Sequence, residues 1–64
     1  MACIVLYNER YGYFESMYDN YIHNTHDSHK AAKYIHPDVA LRIRDYLKSE
    51  YDEDYHIELF SEEG

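Results

Sequence analysis

The sequence predicts a small α+β domain of two layers, an antiparallel sheet of about three strands with one amphipathic helix packed on one face. Three observations predict it. Runs rich in β-branched and aromatic residues occupy 2–8, 11–17 and 55–60, and apolar residues recur at helical spacing over 37–51. The 64 residues are enough for one compact domain, 1–64, and too few for a Rossmann domain, a kinase or a multidomain enzyme.

The first two strands are predicted to form a hairpin. Residues 2–7 are apolar on both faces, which is typical of a central strand, and residues 8–10 are typical of a turn. Residues 11–17 follow and are rich in strand formers. The helix is expected to cover one face of the first strand, and hairpin tyrosines or a second chain must cover the other. Cys3 is expected to be a buried, inert thiol.

The middle of the chain predicts a long loop over 18–30. Asn, Asp, Ser and Thr are frequent there, and their side chains compete with the backbone for hydrogen bonds. Loops of this length in compact domains are often functional. Two alternatives stay open for 30–35, a helical turn or a short strand that ends at Tyr34-Ile35.

The helix is predicted over 37–51. Pro37 suits the first helical turn, and Asp38 favours the positive end of the helix dipole. The helix should end within 51–54, where acidic residues accumulate. A last strand over 55–60 and a polar tail, 61–64, complete the chain. The apolar positions of the helix share one face: Val39, Ala40, Ile43, Tyr46, Leu47 and Tyr51.

The charge distribution indicates the class of partner. With a formal net charge of −7, the chain is expected to bind neither nucleic acid directly nor an acidic membrane surface. Residues 49–64 hold seven acidic residues and no basic one. They predict an acidic ridge that docks in a basic groove of a protein, in one version by imitating nucleic-acid phosphates. The alternative is a solvated segment that only confers solubility. The ridge consists of Glu50, Asp52, Glu53, Asp54, Glu58, Glu62 and Glu63.

Tyrosines are the second candidate feature for binding. Nine tyrosines are too many for a core of this size, and tyrosine is enriched at protein interfaces. The predicted partner-binding tyrosines are Tyr11, Tyr13, Tyr18 and Tyr21. A secondary partner face is predicted on the helix, away from its apolar stripe, at Leu41, Arg44 and Lys48.

Three histidines suggest the main alternative function, a metal-binding or small hydrolytic domain. His23, His26 and His29 recur at every third position, and imidazole binds zinc, nickel and copper. A metal-binding or small hydrolytic domain can be built on such a loop. The spacing matches no structural zinc signature, however, and on a helix the rings would fan over about 120°. We therefore expect no metal, no cofactor, no catalytic residue and no enzymatic activity.

The layout of the chain resembles small acidic phage-encoded accessory proteins that take over host functions. The resemblance rests on residues 4–8, 12–14 and 32–34, followed by the Pro37 helix and a closing strand. It implies a cytoplasmic inhibitor or adaptor of a host protein, located in the host cytoplasm. From the tyrosines and the acidic ridge we expect this protein to occlude a basic site on that host protein. A homodimer is also expected from the two apolar faces of the first strand, and a self-associating structural module is the second alternative.

Overall fold

Four strands form one antiparallel sheet in the computed structural model, which describes residues 2–61, and one helix packs on this sheet. The strand order is β3-β2-β1-β4, so the predicted fold class is confirmed with one strand more than expected. Ser61, predicted to begin the tail, ends β4; residues 62–64, with the predicted acids Glu62 and Glu63, lie outside the described residues. The elements are β1 (Ala2–Asn8), β2 (Gly12–Tyr18), β3 (Tyr21–Thr25), a short 3-10 helix (Ser28–Lys30), α1 (Pro37–Tyr51) and β4 (His56–Ser61).

The additional strand, β3, corrects the loop predicted over 18–30. Asp19 and Asn20 both have positive φ, 52° and 64°, which is the conformation of a two-residue type I′ hairpin turn. This turn pairs Tyr18 with Tyr21 and folds β3 back on β2. The Asp-Asn pair between two tyrosines is a hairpin signal that outweighs the polar composition of the segment.

Strands β1 and β2 separate from each other beyond the β1–β2 turn. β1 and β2 pair only at Tyr7–Tyr13 and Asn8–Gly12, and a register shift after Phe14 turns β2 away from β1. Tyr34 occupies the gap: it exchanges both backbone hydrogen bonds with Ile4, each 2.8 Å long. Of the two alternatives for 30–35, the short strand is therefore closer to the observed structure.

The core lies between α1 and the sheet face that carries Ile4 and Leu6. Leu6 and Leu47 are 0 and 1 % exposed, and Ala40 of α1 belongs to the same buried cluster. The helix ends as predicted near the acidic run, because Asp52 adopts the left-handed conformation (φ 56°) that closes helices. The apolar stripe predicted for the helix is only partly right, since Val39 and Tyr46 are exposed.

The sheet face opposite α1, called here the back face, is covered by the chain itself. Val5 points to this face and is 1 % exposed. The segment around the 3-10 helix lies there, where the Lys33 ammonium and the His29 ring contact the ring of Phe60. The second apolar face of β1 therefore requires no second chain. Cys3, expected to be buried, is partly exposed.

Candidate protein-binding site

The site begins with Asn8, which joins the β1–β2 turn to the α1–β4 turn. Its amide nitrogen donates a hydrogen bond to the carbonyl oxygen of Asp54, at 3.0 Å. Its side-chain oxygen accepts from the backbone N–H groups of Arg10 and Tyr11, at 2.8 and 3.1 Å. Asn8 is 5 % exposed, so one buried amide fixes both turns at the same end of the molecule.

Carboxylates from the two turns surround one open depression of about 360 Å³. Glu9 comes from the β1–β2 turn, and Asp52, Glu53 and Asp54 come from the α1–β4 turn. We call these four residues the acidic end. The remaining lining residues are Asn8, Arg10 and His56. The structure thus brings the three central acids of the predicted ridge together with a fourth, Glu9, from a distant part of the chain.

Lys48 partly compensates the charge of the acidic end. Its ammonium lies 3.1 Å from the carboxylate of Asp54 and 3.2 Å from that of Asp52. The hydrogen bonds to Asp54 and Asp52 raise the pKa of Lys48 above its ordinary value. All three side chains are at least half exposed, so water screens these pairs. The arrangement shows that two of the carboxylates are spaced to hold one ammonium group between them.

Tyr11 is the predicted partner-binding tyrosine that lies beside the acidic end. It follows Arg10 in the same turn, is 39 % exposed, and has the Arg10 guanidinium 5.8 Å from its ring centroid. Such an amphipathic ring next to a charged surface is typical of an interface anchor.

The other predicted partner residues lie elsewhere. Tyr13 is on the back face, where its ring contacts that of Tyr7 at 4.9 Å. Tyr18 and Tyr21 flank the β2–β3 turn and are 68 and 72 % exposed. The length of β2, about 20 Å of strand, separates this turn from Tyr11. The predicted tyrosine set is thus divided among the acidic end, the back face and the β2–β3 turn.

Two predicted acids also lie apart from the acidic end. Glu50 is exposed on the last turn of α1. Glu58 is on β4, where its carboxylate lies 2.9 Å from Nε2 of His56. Of the five predicted ridge acids that lie within residues 2–61, three therefore form a compact group and two lie outside it.

The secondary face predicted on α1 is occupied by internal ion pairs. Arg44 pairs with Asp45 at 3.1 Å, and Lys48 holds the two aspartates described above. Leu41 is 38 % exposed. The bases on this face therefore already have acidic neighbours.

The three histidines of the alternative function lie in different surroundings. The ring of His23, in β3, lies 6.2 Å from that of Tyr18, and the ring of His29 lies 5.6 Å from that of Phe60. His26 lies between β3 and the 3-10 helix. Within residues 2–61, no three histidine, cysteine, aspartate or glutamate side chains are grouped to hold a metal ion.

Sequence reasoning missed Asn8, Glu9 and the ion-pairing role of Lys48. Asn after an apolar strand is a turn signal because its side chain can bond to the backbone two residues on, and Asn8 makes this bond. The i,i+4 spacing of Lys48 and Asp52 was also readable as an ion pair. The contact between the two turns is long-range, and no local pattern indicates it.

No protein-family model matches the chain, and neither the curated proteins nor the solved structures include a significant match. Across residues 2–61, no helix combines the length and the apolar character needed to cross a membrane.

Proposed function

We propose that this protein is a non-catalytic binding protein, an inhibitor or adaptor of the phage type that occludes a basic site on a host protein. The observation that carries the proposal is the meeting of Glu9 with residues 52–54 around one depression. The exposed ring of Tyr11 contacts Arg10, which lines the same depression. A concentrated negative potential speeds encounter with a basic surface, and an adjacent tyrosine supplies contact area once the surfaces meet.

Lys48 supports the choice of a cationic partner. Its ammonium, 3.1–3.2 Å from two carboxylates, occupies the place that a lysine or arginine of the partner would take. The Lys48 side chain is 53 % exposed and carried on a flexible stem, so a partner's guanidinium can displace it. Arginine gains most there because its planar fork matches carboxylates in a bidentate manner.

Exposure favours docking over catalysis at this end. The side chains of Asp52 and Asp54 are 91 and 84 % exposed. Catalytic carboxylates act best in sites that exclude water, whereas rim charges of an interface act from solvent. A nucleic-acid-binding groove is one basic surface that fits, with the carboxylates in place of phosphates.

The test is affinity capture from host lysate with three baits. The first is the wild-type protein, and the second carries Asp52→Asn, Glu53→Gln and Asp54→Asn. The third, a matched control, carries Glu15→Gln, Asp38→Asn and Asp45→Asn. These substitutions also remove three negative charges, but at exposed positions away from the acidic end. We expect a basic protein that is retained by the wild type and the control and lost from the second bait. Equal retention on all three baits would contradict the proposal.

A further inference from the structure

Within residues 2–61, the outer edge of β4 is a regular row of backbone groups with no backbone partner. Ile4 directs its N–H and C=O towards Tyr34, with both bonds 2.8 Å long. In an antiparallel sheet both groups of one residue point to the same side, so Ile4 does not bond to Leu59, which lies opposite it in β4. The N–H and C=O of Leu59 therefore point away from β1. By alternation, so do those of Ile57 and Ser61.

The side chains at this edge are as open as the backbone. Leu59 is 80 % exposed, more than any other large apolar residue among those described. β4 follows β1 without a bulge over six residue pairs, from Ala2–Ser61 to Tyr7–His56. The other sheet edge, β3, is shorter and pairs with a strand that has a register shift. Bulges and charges protect edge strands from pairing, and the β4 edge has no bulge.

We propose that β4 is the interface of a homodimer, in which it pairs antiparallel with β4 of a second copy about a two-fold axis at Leu59. The alternation of the free backbone groups sets this register. With Leu59 opposite its own copy, Ile57 faces Ser61 of the second copy. Residues 57–61 of the two copies then form three hydrogen-bonded pairs: Leu59 with Leu59, and Ile57 with Ser61 twice. A shift by one pair in one direction would place Glu58 opposite the second copy's Glu58, which like charges disfavour. A shift in the other direction would leave only two hydrogen-bonded pairs within residues 2–61, each between Leu59 and Ser61. The interface is isologous, as two-fold dimers require.

Charge complementarity on the back face supports the same register. Glu58 would lie opposite Phe60 of the second copy, as a close, non-hydrogen-bonded pair. The Lys33 ammonium lies 4.9 Å from the centroid of that ring within its own chain. The Lys33 ammonium donates to three backbone carbonyl oxygens of its own chain, and Glu58 lies 2.9 Å from Nε2 of His56, so the dimer would gain an attraction of opposite charges and no new hydrogen bond there. This pairing of Glu58 with the other copy's Lys33 occurs twice. On the opposite face, the two exposed Leu59 side chains cover each other.

The net negative charge of each copy does not oppose this arrangement strongly. In the proposed register the two α1–β4 turns lie about ten strand residues apart, or about 33 Å. This exceeds the screening length of about 8 Å at physiological ionic strength. The dimer goes beyond the proposed function, since it would present two acidic ends pointing in opposite directions.

Disulfide trapping tests the register in the full chain. In a Cys3→Ser background, Leu59→Cys places two thiols across the two-fold axis at a Cα separation of about 5.5 Å, within disulfide range. We expect rapid cross-linking to a dimer under mild oxidation. The matched control is Ser61→Cys, whose two copies would lie about 13 Å apart and should remain monomeric on denaturing gels. Cross-linking of Ser61→Cys but not of Leu59→Cys would overturn the proposal.

Proline substitution tests the edge itself. Leu59→Pro removes an N–H that points outwards, so the monomer should stay folded, whereas Glu58→Pro removes an N–H that bonds to β1 and should unfold it. Sedimentation from about 1 µM to about 1 mM should show a dimer for the wild type. Leu59→Pro and Leu59→Lys should each raise the dissociation constant at least about tenfold, and Tyr21→Lys at the β3 edge should leave it unchanged. A wild-type monomer over the whole range, or a dimer that survives both Leu59 variants, would overturn the proposal. So would an edge that binds only an added extended peptide.

Discussion

The two halves of the sheet are covered in different ways. β1 and β4 lie beneath α1, and Val5 and Leu6 of β1 are 1 and 0 % exposed because the chain covers both of their faces. Beyond the register shift, the β2–β3 hairpin turns away, and β3 has no fully buried residue. The comparison indicates that the first half supplies most of the folding free energy. The second half is held to the first by Phe14 in the core and by Met17 and Ile22, which pack against that core. The Tyr55 hydroxyl also donates a hydrogen bond to the side-chain oxygen of Asn24.

An open apolar depression of about 330 Å³ marks the boundary between the halves. It lies between α1 and β2, where the helix does not reach across the sheet. Tyr51 closes one side of the hairpin by donating its hydroxyl hydrogen to the carbonyl oxygen of Asn20, at 3.3 Å. The depression is lined by Phe14, Met17, Arg42, Ile43, Tyr46 and Leu47.

The largest expected effect is on the free energy of unfolding, and it should differ between a core position of the first half and one of the second. Leu47→Ala removes a side chain that is 1 % exposed and should lower the free energy of unfolding by about 2–5 kcal/mol. Ile22→Ala in β3 removes a partly exposed side chain and should cost about 1 kcal/mol, because less apolar surface returns to water. Urea unfolding followed by circular dichroism measures both. Equal losses would contradict the division into two halves.

The second effect is at Asn8, which connects the two turns of the acidic end. Asn8→Ala leaves the Asp54 carbonyl and two N–H groups without this partner, so it should cost about 1–3 kcal/mol. Hydrogen exchange should accelerate first at residues 9–11 and 52–54. The conservative variant Asn8→Asp keeps the acceptor for Arg10 and Tyr11 and should retain the β1–β2 turn. Unchanged exchange in the α1–β4 turn of Asn8→Ala would show that the amide does not join the turns.

The pH dependence of stability should reflect buried tyrosines of the first half. Burial raises the pKa of Tyr34 and that of Tyr55 above the ordinary value of 10.0. The unfolded chain then ionises first, so the contribution of these two tyrosines to stability is constant below pH 10 and is lost as pH rises through their raised pKa values. Tyr34→Phe should make this fall shallower in urea unfolding measured from pH 8 to about pH 11.5. An identical pH profile in the variant would show that Tyr34 does not contribute.

The smallest expected effect is a change in association rate on substitution of Lys48, which tests how the charge of the acidic end acts on a partner. Lys48→Gln removes the internal cation between Asp52 and Asp54 and should speed association with a basic partner by a few-fold, because the negative potential increases. Arg44→Gln, which removes the same charge one turn earlier beside Asp45, is the control and should have a weaker effect. Slower association of Lys48→Gln would indicate that Lys48 itself contacts the partner.

The sequence predicts the first half better than the second, for physical reasons. The bounds of α1 agree with the prediction because Pro37 fixes the helix start and the apolar spacing is regular. β3 was missed because its turn depends on two left-handed residues, Asp19 and Asn20, in a polar segment. The acidic run is visible in the sequence, but the pairing of Lys48 with Asp54 is not, because it depends on how the α1–β4 turn folds.

Partner recognition by the acidic end, as we propose it, is tested most directly by the rate of association with the partner. Stopped-flow mixing with the captured partner should show association slowed about tenfold or more by the triple variant Asp52→Asn, Glu53→Gln and Asp54→Asn at low salt. The difference should shrink at high salt, where charges are screened over a few ångströms. The control triple variant at Glu15, Asp38 and Asp45 should associate nearly as fast as the wild type. Unchanged kinetics of the acidic-end variant at both salt concentrations would contradict the account and leave the acidic run as a determinant of solubility.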